Sequence, residues 1–319
     1  MLARFLLLML VFSTNALCAD IYPTRPIRLL IGFPPGAGMD AVARPFAQRL
    51  SELLGQPVLV ENRPGAGGAV SNAAIAKSAP DGYTLGFGSN GDLVIVPLLI
   101  KVDYDPAASF TPISLVSREE GFVLLAHPTF APNNLAELVA LAKEKPGNVQ
   151  FGSGGVGLPH HIAMEQFKIV AGINMVHVPY KGAGPMTQDI VGGNLMLGIG
   201  NVTATPLIRA GKVKALAVTA ARRIPALAEV PTFAEQGYPQ VEASGWFGLI
   251  GPAGLPQPVV QALNDATRKV VTETQFNERL FNLGMRGEPS TPAALRDLQR
   301  NDTAKWGKMI KDTGVRVEQ

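Results

Sequence analysis

Two stretches of this chain end a strand-like apolar run in glycines and then open into a helix-like run. The first is Leu29-Leu30-Ile31-Gly32-Phe33-Pro34-Pro35-Gly36-Ala37-Gly38-Met39-Asp40, and the second is Val149-Gln150-Phe151-Gly152-Ser153-Gly154-Gly155-Val156-Gly157-Leu158-Pro159. A helix N-terminus carries unpaired backbone N–H groups and the positive end of the macrodipole, so each stretch is a ready-made anion site. Glycine lets the backbone approach a ligand closely and take φ > 0. Two such loops in one chain point to an anion gripped from two sides. The expected contacts are Pro35, Gly36, Ala37 and Gly38 on one side, and Ser153, Gly155, Val156 and Gly157 on the other.

Polar side chains near these loops have two readings each. Asp40 either caps the helix by accepting backbone N–H groups or faces the ligand. Ser89, Asn90 and Asp92 follow a strand, where a parallel sheet opens its cleft, or else they form an ordinary Asx turn. His161 either donates to the ligand or bonds to its own loop. His160 and His161 fail as a metal pair, because adjacent helical positions diverge around the axis. Asn201 falls at a strand end. Lys181 reads as a loop charge and Trp306 as a core aromatic.

Enzyme readings find less support. Gly36-Ala37-Gly38-Met39-Asp40-Ala41 fits a relaxed G-x-G-x-x-A pattern with Glu61 at the end of the next strand, the layout of a dinucleotide-binding unit. Pro34-Pro35 stiffens that turn, and an exported protein seldom meets NAD. There is no G-x-S-x-G, and Ser153 has no base close by in sequence. The expectation is a binding protein with no catalytic activity, no cofactor and no metal.

Export is read from the first residues. Arg4 precedes the apolar run Phe5-Leu6-Leu7-Leu8-Met9-Leu10-Val11-Phe12, followed by a small-residue stretch ending at Ala19, as in a cleavable leader over residues 1–19. That run is too short to span a bilayer. Cys18 is the one cysteine in the chain, so the mature protein has no disulfide and no thiolate. A net charge of +3 over 319 residues, without a basic run, gives no nucleic-acid or polybasic membrane footprint. The mature length exceeds what one core usually organises, so two lobes are expected.

Those lobes are read as α/β units. Strand patterns at 27–33, 58–60 and 83–87 alternate with helix patterns ending at Gly55 and Lys77. A second series runs through strands at 122–125, 149–151, 175–178, 196–199 and 215–219, with helices at 134–143 and 160–169. Residues 246–250 form a further strand, and three helical stretches follow. Lobe 1 is expected over 22–120 and 225–319, and lobe 2 over 121–224, each with a mostly parallel sheet flanked by helices.

The chain resembles the Bug family, the extracytoplasmic solute receptors of tripartite tricarboxylate transporters. The residues that carry the likeness are Tyr22-Pro23-Thr24-Arg25-Pro26-Ile27-Arg28, Phe33-Pro34-Pro35-Gly36-Ala37-Gly38, Glu61-Asn62-Arg63-Pro64-Gly65-Ala66-Gly67-Gly68 and Ala79-Pro80-Asp81-Gly82-Tyr83-Thr84. Val176-His177-Val178-Pro179-Tyr180-Lys181-Gly182, Val230-Pro231-Thr232 and Lys305-Trp306-Gly307-Lys308 extend it over the mature chain. The resemblance implies a type II periplasmic binding-protein fold that closes, like a Venus flytrap, on a small carboxylate or amino acid. It also implies a periplasmic location and integral membrane permease subunits as partners, and it fits a monomer. Asp40, His161 and Asn201 match family positions, whereas Met39, Asp92 and His160 depart from them. A receptor that signals to a membrane kinase would share the same lobes.

Overall fold

The computed structural model describes residues 22–316; the expected leader lies outside the described residues. In chain order the elements are β1 (Ile27–Ile31), α1 (Gly38–Leu54), β2 (Val58–Asn62), α2 (Ala69–Ala76), β3 (Thr84–Ser89), α3 (Val96–Leu99), β4 (Phe110–Glu119) and β5 (Phe122–Ala126). They continue with α4 (Leu135–Glu144), β6 (Gln150–Ser153), α5 (Pro159–Ala171), β7 (Val176–Pro179), α6 (Ala183–Val191), β8 (Leu197–Asn201), α7 (Thr205–Arg209) and β9 (Lys214–Val218). Last come β10 (Gly245–Pro252), α8 (Gln257–Thr272), α9 (Thr274–Asn282), β11 (Met285–Gly287) and α10 (Pro292–Thr313).

The strands form two sheets, ordered β11-β4-β10-β3-β1-β2 and β7-β6-β8-β5-β9. Strand β1 pairs parallel with β2 and β3, while β10 lies antiparallel between β3 and β4. In the second sheet β6 pairs parallel with β7 and β8, and β5 runs antiparallel to β8 and β9. Both sheets are therefore mixed: the parallel part expected from the βα repeats is present, and β10 in the first sheet and β5 in the second, each entered from a chain crossing, run against it.

Central strands are covered on both faces, which is why they read as unbroken apolar runs. Ile27, Leu29, Leu30 and Ile31 of β1 are buried, as is all of β5. Helix α1 buries Val42, Ala43, Phe46, Ala47 and Leu50, and Phe46 packs 5.6 Å from Phe87 between ring centroids. It runs through Pro45 and stops at Gly55, whose φ of 67° is the left-handed ending that glycine tolerates.

Two elements were hidden from periodicity. Strand β4 contains Pro112, which argues against an interior strand; it sits opposite Ile250, beside an irregularity in the pairing. Helix α6 carries Gly184 and Pro185 in its first turn, where proline costs no hydrogen bond.

The chain passes between the sheets from Glu119 to Phe122 and again before Gly245. Thr219 clasps these crossings: its Oγ1 accepts from Phe122 N–H (2.9 Å) and donates to the Ala243 carbonyl (2.7 Å). One continuous core cluster includes Leu30 and Ile75 beside the first sheet, Leu124 and Leu197 in the second, and Leu295, Trp306 and Met309 of α10. The last helix thereby packs against both halves.

Candidate functional site

Both glycine loops lie at the carboxyl ends of parallel strands, residues 32–37 after β1 and 154–158 after β6. Close approaches link them. A Cβ at Gly32 would stand 2.6 Å from Gly68 Cα, and one at Gly68 would stand 2.6 Å from Asp92 Cβ. Across the gap, a Cβ at Gly91 would stand 3.5 Å from Leu158 and 3.7 Å from Pro159, at the start of α5. The first loop, the turn after β3 and the N-terminus of α5 thus border one cleft.

Neither α1 nor α5 has a capping side chain: Ala37 and Leu158 hold the N-cap positions. The first-turn N–H groups of both helices therefore keep their capacity to bind an anion. Gly36 and Gly38 are exposed, and nothing lies within 4 Å of a Cβ built at either. Gly36 needs its glycine, with φ at 81°; Gly38 does not.

Asp40 holds the first loop from behind. Its Oδ2 accepts from Gly36 N–H (3.0 Å) and Arg44 Nε (2.9 Å), and its Oδ1 accepts from Asn62 Nδ2 (3.0 Å). Burial works to raise its pKa, but these bonds and the Arg44 charge outweigh it and hold the carboxylate below its usual range. Pro35 is exposed and Ala37 half-buried at the turn.

The second loop is braced by histidines. Gly154 N–H donates to His160 Nε2 (2.8 Å), Gly157 N–H to His161 Nδ1 (3.1 Å), and Gly155 N–H to Ser153 Oγ (3.2 Å). Ser153 Oγ also lies 2.7 Å from His177 Nε2, and His177 stacks on His161 at 3.8 Å between centroids. Burial, with smaller contributions from neighbouring positive charge, lowers these pKa values to about 3 for His160, about 2 for His161 and about 4 for His177. All three are neutral imidazoles near pH 7. Val156 is exposed at the loop tip.

After β3 the chain makes one π-helical turn, Gly91–Ile95. Ser89 is buried, its N–H and Oγ both donating to Asp92 Oδ1 at 2.6 and 2.5 Å. Asp92 is sealed against Asn72 and Gly68, and burial pushes it up to about 6. Asn90 donates to the Ser244 carbonyl (3.0 Å) just before β10. Asn201 ends β8, and its Nδ2 donates to Glu119 Oε1. The arrangement brings the first loop, residues 89–91 and the start of α5 close together, with Asn201 at the carboxyl end of β8, and it engages several of their side chains within the protein.

Other candidates fall away from the cleft or into structural roles. Glu61 is shared by Arg28 (2.7 Å) and Arg63 (2.6 Å), so no free acid waits for a ribose. Trp306 is buried, and Trp246 donates to Asp302 (2.7 Å). Among the described residues no cluster of three metal-ligating side chains occurs, and no helix is long and apolar enough to cross a membrane. Sequence reasoning missed Glu119, hidden in the charged run Arg118-Glu119-Glu120, and the contact of His177 with Ser153, which joins positions 24 apart.

Two sheets joined by two crossings, with two uncapped helix N-termini on the cleft between them, define a periplasmic-binding-protein type of solute receptor. The chain belongs to the tripartite tricarboxylate transporter family receptor family, whose pattern matches residues 42–315. It is 34% identical to protein BugT of Bordetella pertussis over 303 residues, covering 94% of this chain and 93% of that one. The solved periplasmic binding protein BugD superposes with a TM-score of 0.85 at 33% identity, covering 93% of this chain and 100% of BugD. An R. palustris protein solved with adipate gives 0.87 at 32% identity, covering 92% and 99%. These likenesses fix the class as a carboxylate-binding solute receptor.

Proposed function

We propose that this receptor works in the periplasm without catalysis, holding a small organic acid between its two sheets and delivering it to integral membrane permease subunits. The observation that carries the reading is the pair of uncapped helix N-termini, α1 and α5, on a shared cleft. The backbone N–H groups of Gly38 and Met39 serve as donors on one side, and those of Val156, His160 and His161 on the other. Charge-assisted bonds from such donors hold a carboxylate without an arginine. Asn201 completes the site at the end of β8. Asp40, Ser89, Asn90, Ser153, Gly155, Gly157 and the His161 ring shape the cleft from behind, with Pro35, Gly36 and Ala37 forming its first wall.

The same geometry favours an acid without an ammonium group. A ligand ammonium needs a free carboxylate. Asp40 has both oxygens engaged, Asp92 is sealed behind Ser89, and Glu119 is bound to Asn201. Adipate in the R. palustris relative supports a dicarboxylate of similar size here.

The test is a thermal-shift screen of unfolded and refolded protein against adipate, malate, citrate, benzoate and the common amino acids. Ligand at a hundredfold over its Kd stabilises by about 2.7 kcal/mol, a readily visible rise in Tm. Shifts with organic acids and not with amino acids are expected. A Tm unmoved by every acid would sink the reading.

A further inference from the structure

Glu119 closes β4 where the chain leaves the first sheet. Gly245 of β10 and Met285 of β11 stand directly opposite it. A Cβ at Gly245 would come within 2.8 Å of Glu119 Oε2, so the carboxyl group lies close against the bare backbone of β10. Glu119 is 5% exposed, and its side-chain partner among the described residues is Asn201. Asn201 pairs with Phe122 at the end of β8, next to β6, whose end carries Ser153 and the second glycine loop. A buried carboxyl group of one sheet therefore holds an amide at the carboxyl end of a strand of the other.

We propose that Glu119 is a positioning residue that couples acid binding to one proton: ionised, it accepts from Asn201 Nδ2 and leaves the amide oxygen facing the cleft; protonated, it donates to Oδ1 and turns the NH₂ towards the bound anion. This rests on the reading that Asn201 borders the ligand. A carboxylate can only accept, whereas a carboxyl group can donate, and an amide offers donors on one side and an acceptor on the other.

Burial pushes Glu119 up to about 7, against the opposing pull of the Asn201 bond, so the exchange falls in the neutral range. Charged groups on the surrounding elements pair with one another and not with Glu119. Arg118 and Glu120 flank it and, by strand alternation, project from the other face. Arg118 binds Glu288 (2.8 Å), and Arg286 binds Glu288 (2.6 Å) and Glu120 (3.6 Å). Asp302 of α10 accepts from Trp246. The positions opposite Glu119 on β10 and β11 are Gly245 and Met285, which carry no charge. The sign follows twice over. A bound anion disfavours a carboxylate nearby, and a donor amide favours the anion, so acid affinity falls as pH rises.

The experiment is calorimetric titration of the refolded protein with adipate and with malate at pH 6, 7 and 8, for wild type, Glu119→Gln and Asn201→Ala. Side-chain ¹⁵N spectra of Asn201 without ligand accompany it. Wild-type affinity should fall about tenfold from pH 6 to pH 8, the limit for one linked proton with a midpoint near 7. Glu119→Gln, whose amide donates as the carboxyl group does, should bind at pH 8 as wild type binds at pH 6. Asn201→Ala should bind more weakly with a shallower profile than wild type, since only the direct repulsion between the anion and the Glu119 carboxylate remains. It carries the test if Glu119→Gln does not fold: a slope as steep as that of wild type would overturn the proposal. A wild-type profile flat within twofold, or a slope retained in Glu119→Gln, overturns the proposal. If neither acid binds at any pH, the reading of the site has failed, and the ligand-free spectra decide the coupling. Asn201 resonances moving with a midpoint near 7 in wild type alone support it; unmoving resonances overturn it.

Discussion

His160 and His161 are neighbours in sequence and bond to the second glycine loop through opposite ring nitrogens. His160 accepts the Gly154 N–H with Nε2, and His161 accepts the Gly157 N–H with Nδ1. A neutral imidazole that accepts at one nitrogen carries its proton on the other. The loop therefore requires two different tautomers side by side, held by rings too buried to ionise.

The resulting prediction concerns those tautomers. Long-range ¹H–¹⁵N spectra should show His160 protonated at Nδ1 and His161 at Nε2, with neither ring titrating between pH 8 and pH 5. Each has its pKa lowered to about 3 or below, chiefly by burial. Protonation of either ring at pH 6 would contradict the loop geometry. Because the folded values lie below the ordinary one, these rings oppose folding as pH falls below about 6.5, where the unfolded chain takes up protons first.

Gly38 offers a test of the first loop that spares the fold. Its φ is not in the left-handed region, and a Cβ there meets nothing within 4 Å. Gly38→Val should keep the wild-type Tm within a few degrees, since surface changes away from special backbone geometry usually stay within about 0.5 kcal/mol. It should lose organic-acid affinity by more than tenfold in the calorimeter, because the new side chain occupies the open face of the loop. Unchanged affinity would remove this loop from the site.

Asp40→Ala removes three hydrogen bonds that fix the first loop from behind. Urea unfolding at pH 7 should show a loss of about 1–2 kcal/mol, the Arg44 share being discounted because that side chain is half exposed. The folded pKa of Asp40 lies below its ordinary 3.8. Its contribution is therefore complete above that value and lost as pH falls through the lower folded one. Wild type and variant should converge in strong acid.

Thr219→Val probes the clasp between the crossings. The swap keeps the shape but strands the Phe122 N–H at a buried position. A cost of roughly 1–3 kcal/mol in unfolding free energy is expected. Without the clasp the sheets should move more freely, so small-angle scattering with and without ligand should differ more than in wild type.

Much of this architecture was legible in the chain itself. Most of the order of strands and helices, with β4 and α6 as exceptions, the ending of α1 at Gly55 and the two glycine loops follow from local pattern. Periodicity and turn chemistry act over a few residues, so they can be read along the chain. The motifs from Tyr22 to Trp306 likewise placed the chain among the solute receptors before any contact was known.

Only the tertiary structure decided how the cleft is held together. It turned Asp40 back onto Gly36 and Asn62, sealed Asp92 behind Ser89, and set His177 against Ser153. It also ran β10 antiparallel between β3 and β4, and it buried Glu119, of the charged run Arg118-Glu119-Glu120, against Gly245 and Asn201. These outcomes depend on packing and hydrogen bonding between residues tens of positions apart. Whether a polar group is free for a ligand is decided by the neighbours that desolvate it, and no local spacing encodes them.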